Sequence, residues 1–502
     1  MRPTRIASFS LKLLTVASIL ASAGCNRGAP SDASAPDSGP DLPASDAVVP
    51  DDIATVDARA ALPAWPHDLP PGAAWGTDAG PSRRSVRAII HAHSVHSHDA
   101  CDGEPYVDGG PNEPCLQSFR RALCRTRVDA VFLTEHSSLM AEGAFERVLQ
   151  MRAGDRAEVE EGRTVGYTLQ CDNGHSVMVL PGAENELMPI ALREHPQPLS
   201  GASLIETYRT ASIASVAAFR AAGGFVVIPH AEQKEIPFTL SLRPDGTELY
   251  NVHANLDPRI AGPYLGVDIG EFFADIPRFI DARFGTEPDL LFLGVFRENN
   301  PDLARWSALW RDGQTVVGVA GSDAHENTIQ RLLADGERGD SYRRVFRWFS
   351  NELILDGATT RASLLAALRA ARARVRFEAW GVAEGFQWNI NASGARSLAD
   401  GATVPMSANL QLEASAPRVL GLDPSLPVPS IRVRIVRADA SSATGWTEVA
   451  SDPRELRYTV TGPGVYRAEV DITPNHARPY LPRLERYVRE VPWVYAAPVR
   501  VE

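Results

Sequence analysis

Ile89-Ile90-His91-Ala92-His93-Ser94-Val95-His96-Ser97-His98-Asp99 places four of the chain's 12 histidines within one short stretch. The apolar run Val86 to Ile90 leads directly into it, and such a run reads as a buried parallel strand. His91 and His93 follow at its carboxyl end, two apart and therefore on one face. Two imidazoles on one face can share a metal ion, whereas sequence neighbours point to opposite sides. The plain alternative is a His-rich loop without a ligand role, because a His-rich tract is only compositional evidence. The ends of four further strands decide against it.

From Val86 to Arg376 the pattern is strand followed by helix, repeated. Strand-like runs are Val86–Ile90, Ala130–Thr134, Val177–Pro181, Phe225–Pro229, Gly266–Glu271, Thr315–Ala320 and Glu352–Leu355. Amphipathic stretches lie between several of them, at Leu116–Arg127, Gly143–Arg152, Leu204–Ala222 and Leu303–Asp312. Apolar strands separated by helices imply a parallel sheet, and seven in about 290 residues suit a closed α/β barrel, with an open doubly wound sheet as the alternative. In both architectures ligands collect at the carboxyl ends of the strands.

Those ends share one chemistry. Val131-Phe132-Leu133-Thr134 runs into Glu135-His136, and Met178-Val179-Leu180-Pro181 into Gly182-Ala183-Glu184. Val226-Val227-Ile228-Pro229 ends in His230, and Val317-Gly318-Val319-Ala320 in Gly321-Ser322-Asp323-Ala324-His325. A single polar residue of this kind is usually structural. Packing alone does not ask for imidazole or carboxylate at the end of five strands, so the set reads as a multinuclear metal centre with mixed N/O ligands.

These motifs, in this order, resemble the PHP (polymerase and histidinol phosphatase) superfamily of metallohydrolases over residues 85–376. The exported architecture is similar to its carbaryl-hydrolase-related branch. The resemblance implies a distorted seven-stranded α/β barrel holding two or three Zn, Mn or Fe ions. It implies one ion on His91, His93, Glu184 and Asp323, with Glu184 bridging to a second on His230. A third would take His136, His325 and either His98 or Asp99. The family's usual Asp-His is Glu135-His136 here, which makes Glu135 a weaker candidate. A further ligand to the second ion has no clear counterpart; His253 and Glu271 are the nearest. Glu186 follows Glu184 closely, and the Gly-x-Glu pattern picks Glu184.

Clustered divalent ions lower the pKa of bound water and polarise a substrate oxygen, so a metal-bound hydroxide is the expected nucleophile and no other catalytic residue is expected. No G-x-S-x-G motif occurs. The expected activity is that of an exported metal-dependent hydrolase acting on a small molecule, most simply a phosphoesterase. A carboxyl-ester, amide or carbamate hydrolase is the close rival, and a non-catalytic metal-containing binding protein the distant one. Lys234, four residues past His230, could meet an anionic substrate, though a solvated loop lysine is the plainer reading.

The chain opens with a secretory signal: basic Met1 to Arg5, a largely apolar Leu11 to Leu20, and small residues down to Cys25. Ser22-Ala23-Gly24-Cys25 resembles a bacterial lipobox, with Ser22 where Leu is usual, and marks Cys25 for lipidation. Residues 1–25 are thus expected to be a lipoprotein signal peptide, with the protein membrane-anchored in the periplasm or at the cell surface. Residues 26–80, rich in Ala, Pro and Asp, are expected to be a disordered tether. The barrel is expected over 81–376 and a small β-sandwich over 377–502. There Ile431–Ile435 alternates, Leu456–Val460 and Val465–Ile472 flank a Gly-Pro-Gly turn, and Trp493–Val499 returns to pack on the barrel. The formal charge of −12 argues against nucleic acid, and leaves the lipid anchor as the only expected membrane contact. After Cys25 four cysteines remain, suggesting two disulfides in an exported chain. Three pairings are possible; Cys101 with Cys115 is expected, closing the loop after the histidines.

Overall fold

Arg83–Ala92 is the strand on which the large sheet is built. Val86, Ala88, Ile89 and Ile90 are all buried, as expected of a strand covered on both faces. One edge pairs parallel with Ala130–Leu133. The other edge is divided. Its first half runs antiparallel to Phe349–Asp356, and its last residues run parallel to Val317–Ala324. The parallel order continues through Gly246–Asn251 to Phe225–Ile228 on that side, and through Ser176–Leu180 on the other. Six parallel strands therefore deliver their carboxyl ends to one region. This is a computed structural model, and it describes residues 62–70, 83–267 and 269–502. The signal segment, Cys25 and the tether outside 62–70 lie outside the described residues.

The chain divides into Met1–Pro63 and a compact unit, Ala64–Glu502. Among the described residues the ladders of the large sheet trace an open path, and the closed seven-stranded barrel expected from the sequence is not formed. The free edge of Phe225–Ile228 is taken by Met188–Ile190, which runs antiparallel to it. The turn that allows this return passes Gly182. A Cβ there would lie 2.5 Å from the Leu133 carbonyl and 2.6 Å from that of Pro189, so only glycine fits.

Two sequence expectations need correction. Gly266–Glu271 is not a strand: Gly266, at φ 65°, caps the helix Pro258–Leu265, and the helix Gly270–Ile280 starts inside the same span. The strand in that place is Gly246–Asn251, buried along its whole length. The single helix expected over Leu204–Ala222 is two, Leu204–Arg209 and Ile213–Ala221, because Ser212 caps a new start by accepting from Ser215 N.

The sheet runs on past residue 376. Ala373–Phe377 pairs with both Phe349–Asp356 and Val491–Tyr495, and the latter leads to Gly464–Thr473, Ser430–Ala438 and Trp446–Asp452. A separate four-stranded sheet holds Ala395–Leu398, Gln387–Ala392, Gln411–Ser415 and Glu455–Thr459. Where the sequence predicts a β-sandwich over 377–502, one group of its strands extends the sheet that carries the candidate site. The Trp493 indole donates to the Gly381 carbonyl at 2.7 Å and that of Trp388 to the Ala497 carbonyl at 3.1 Å, satisfying both buried N–H groups.

The disulfides join Cys101 to Cys115 and Cys124 to Cys171. Within the expected tether, residues 64–70 are docked. Trp65 and Leu69 are buried, Trp65 lies parallel to His476 and edge-on to Tyr480, and Leu69 N donates to the Arg125 carbonyl. Polar contacts add to these: His67 Nδ1 lies 3.0 Å from Asp289 Oδ2, and Arg347 donates to the Pro66 carbonyl.

Candidate metal centre

The strand ends are bent before they deliver their side chains. His91 lies on a bulge where the register shifts between Ile90 and Ala92. His91, His230 and Asp323 have φ of 61°, 45° and 48°, the left-handed region. For residues other than glycine this costs about 1–3 kcal/mol each and concentrates at functional sites.

The side chains then meet. Asp323 Oδ1 lies 3.1 Å from His91 Nε2 and 3.3 Å from His93 Nε2, and Oδ2 lies 3.7 Å from His230 Nε2. Glu184 reaches His136 Nδ1 at 3.1 Å with one oxygen and His230 Nε2 at 3.4 Å with the other. Asp99 spans His136 Nε2 at 3.4 Å and His325 Nε2 at 3.5 Å. His93 and His325 stack with centroids 3.8 Å apart. Within this cluster three sets have ligand atoms within 4.8 Å of one another: His91, His93 and Glu184; His91, His230 and Asp323; His93, His136 and His325.

Hydrogen bonds on the far side of three rings fix which nitrogen faces inward. His91 Nδ1 donates to Glu248 Oε1 at 2.6 Å, His93 Nδ1 to Ser97 Oγ at 2.8 Å, and His325 Nδ1 to the Asp323 carbonyl at 2.9 Å. With Nδ1 the donor, the neutral ring keeps its lone pair on Nε2. Those three Nε2 atoms and Asp99 Oδ1 are buried without a hydrogen-bond partner. Buried polar atoms are rarely left so. Four in one place, nitrogen and oxygen together, fit divalent cations with mixed ligands.

The charges agree with that fit. Burial is the largest influence on His91 and opposes its protonation, but Asp323 and Glu248 outweigh it and hold the pKa well above the ordinary value. His230 is raised to about 9 against burial, chiefly by its bond to Glu184. Burial pushes Glu184 and Asp323 up, yet the histidines around them hold both carboxyls well below the usual range. His93 goes the other way: burial, then His325, push it well below. In the bare protein, protons on some imidazoles supply the positive charge that three carboxylates attract.

The structure brings together His91, His93, Asp99, His136, Glu184, His230, Asp323 and His325. His98 stays exposed at the rim, its ring 5.1 Å from His136, and Asp99 is the member of that pair that enters the cluster. Glu135 is buried but outside it, accepting from Ser94 N, Ser94 Oγ and Ser97 Oγ; burial pushes it up to about 7. His253 stands at the edge, its ring 5.6 Å from His230 and its Nε2 on Asp257. Glu271 is exposed on the first turn of Gly270–Ile280, and no hydrogen bond or ion pair among the described residues joins it to the cluster. Glu186 pairs with Lys234 at 2.7 Å, which removes Lys234 as a free cation. His96 is engaged by Tyr106 and the Leu139 carbonyl.

Sequence reasoning missed Glu248 and Asn251. Glu248 Oε2 accepts from His230 N at 2.8 Å and from Asn251 Nδ2 at 3.2 Å, so one buried carboxylate positions two of the histidines. The available signal was a Gly-Thr-Glu-Leu-Tyr-Asn run ending, like the others, in polar residues.

No protein-family model and no curated protein matches this chain. Among solved structures, a two-domain protein from Bacteroides vulgatus containing a predicted PHP-like metal-dependent phosphoesterase is similar at 11% identity and a TM-score of 0.32, over 82% of this chain and 96% of that one. The PmoD soluble domain from Methylocystis sp. is similar at 9% identity and a TM-score of 0.16, over 24% of this chain and 92% of that one. Both overlaps are loose; the fold rests on its own strand pairings and the centre on its own atoms.

Proposed function

We propose that this chain is a metal-dependent hydrolase of the PHP type, a phosphoesterase. The observation that carries the reading is the set of buried, unpartnered Nε2 atoms of His91, His93 and His325 beside Asp99 Oδ1. His91, His93, Asp323 and Glu184 would hold one ion, Glu184 and His230 a second, and Asp99, His136 and His325 a third; Zn, Mn and Fe suit these ligands. Bound divalent ions would supply water of lowered pKa and Lewis-acid polarisation of a substrate oxygen.

The protein's own residues do the positioning. Glu248, Ser97 and the Asp323 carbonyl take the Nδ1 protons and so set the ring orientations. Glu135 ties down the turn Ser94–Ser97 that carries His93 into Asp99. Three hydroxyls beside the cluster are engaged as donors: Ser94 and Ser97 to Glu135, and Ser322 to the His91 carbonyl. A serine nucleophile is therefore not part of the proposal.

The test is a turnover panel of phosphomonoester, phosphodiester, carboxyl-ester and carbamate reporters with protein loaded with Zn, Mn or Fe. Turnover of a phosphoester supports the reading. Turnover of the carboxyl or carbamate reporters alone replaces it with the rival hydrolase, and turnover of none favours a metal-containing binding protein. We further propose export and anchoring through Cys25, from the sequence of residues 1–25. Among the described residues no helix is long and apolar enough to cross a membrane. Mass spectrometry of the mature protein, and release from membranes by Cys25→Ser, check the anchor; soluble, unlipidated wild type would remove it.

A further inference from the structure

Beside the centre stands a cation that no carboxylate among the described residues neutralises. The helix Leu204–Arg209 starts at a capping box, in which Glu206 accepts from Ser203 N at 2.7 Å, so this nearby acid is engaged at the opposite end of the helix. Thr207 and Tyr208 are buried and hold the helix in place, with the Tyr208 hydroxyl against His195 Nδ1. Arg209, the last residue, is exposed, and its Nε donates to Ser137 Oγ at 3.1 Å. Ser137 is buried and directly follows His136. Among the described residues no carboxylate meets Arg209 within ion-pair distance, and its Nη1 and Nη2 bond nothing.

Lys234, a cation close to the end of Phe225–Ile228, is by contrast neutralised by Glu186 at 2.7 Å. Arg209 is held at Nε and free at both ends of the fork, the arrangement that receives two oxygens of one anion. Exposed His98 flanks the same turn, its Nδ1 3.5 Å from Ser138 Oγ and its ring 5.1 Å from His136, while Arg209 holds the intervening Ser137.

We propose that Arg209, held on Ser137 next to His136, forms an anion subsite at the rim of the centre that takes an oxyanion group of the substrate, phosphoryl or carboxylate. This rests on the hydrolase reading above and adds to it a substrate class, small molecules carrying a fixed negative charge, and the residue that selects them. Arg209 touches no candidate ligand, so its role is recognition and separable from metal binding. Lysine would restore the charge but not the two-point fork.

The experiment uses the full chain loaded with metal, as wild type, Arg209→Gln and Arg209→Lys. Calorimetry with inorganic phosphate and with acetate measures the subsite without turnover and separates the two oxyanions. Phosphate affinity is expected to fall about tenfold or more in Arg209→Gln, the size of a lost charge-assisted contact, with partial recovery in Arg209→Lys. Metal content is expected to match wild type in both. With reporters, KM for an anionic ester should rise more than kcat falls, and the preference for an anionic over a neutral ester should drop by a similar factor. Equal phosphate affinity in wild type and Arg209→Gln overturns the subsite, as does an effect that tracks lost metal. If wild type turns over no reporter, the hydrolase reading fails, and the phosphate titration still decides whether Arg209 binds the anion.

Discussion

Glu248 accepts a hydrogen bond from His91 Nδ1 at 2.6 Å, and neither side chain reaches solvent. Its other oxygen accepts from His230 N and Asn251 Nδ2. A carboxylate that orients two metal-facing histidines should matter nearly as much as a ligand. Glu248→Ala is expected to lower metal affinity about 10–100-fold, with Glu248→Gln milder because an acceptor remains. Competition against a chelator measures this; wild-type affinity in Glu248→Ala would show that His91 needs no orienting partner.

Proton release should accompany metal binding. The His91 and His230 pKa values are raised, so in the bare protein both carry protons near neutrality that a metal must displace. Affinity should therefore rise with pH through the neutral range. Calorimetry in buffers of different ionisation enthalpy reads the protons directly. No release near pH 7 would contradict the assignment of these two rings.

The docked segment 64–70 should loosen as pH rises. His67 Nδ1 lies 3.0 Å from Asp289 Oδ2, and this bond, against burial, raises the His67 pKa above its ordinary 6.5. A raised folded-state pKa gives stability that is full below the ordinary value and is lost as pH passes the raised one. Amide exchange at Leu69, whose N–H bonds the Arg125 carbonyl, should accelerate with pH beyond the intrinsic chemical rate. The excess should be absent in His67→Ala; identical profiles would exclude the ion pair as the latch.

How far the sequence carries can be seen at individual strands. Phe225–Ile228 running into Pro229-His230 was legible because core packing gives an apolar run little reason to end in a metal-competent residue. Gly246–Asn251 was not, because Thr247, Glu248 and Asn251 place polar groups inside a buried strand and break the apolar run. For Glu248 and Asn251 the partner is His91, 157 and 160 positions away in sequence, and local pattern holds no record of it. His98 and Asp99 were inseparable for a related reason: which neighbour turns inward depends on the turn after Ser97, tied down by Glu135. The antiparallel return of Met188–Ile190 and the pairing of Val491–Tyr495 with Ala373–Phe377 are likewise long-range choices.

The Cys101–Cys115 disulfide closes a loop with a sequence separation of 14. Cys101 N donates to the His325 carbonyl at 2.9 Å and Asp102 N to that of Glu326 at 3.0 Å, which ties the start of the loop to the strand end carrying His325. Replacing both cysteines by serine should cost about 3 kcal/mol in denaturant unfolding, the chain-entropy value for a loop of this length. Because the loop starts two residues after Asp99 and is tied to the His325 carbonyl, metal affinity at Asp99, His136 and His325 should fall with it. Unchanged stability and unchanged affinity would show that the hydrogen bonds alone hold the loop.

The central claim is that Glu184 bridges two ions within one cluster. Glu184 falls with His91 and His93 in one set of candidate ligands and reaches His230 Nε2 at 3.4 Å, whereas Glu186, two residues on, is exposed and paired with Lys234. Metal stoichiometry on folded, size-purified Glu184→Ala and Glu186→Ala protein tests this most directly. Glu184→Ala should lose more than one equivalent of metal and all turnover, and Glu186→Ala should stay near wild type. A fully loaded Glu184→Ala protein, or one emptied only by Glu186→Ala, would contradict the bridged centre.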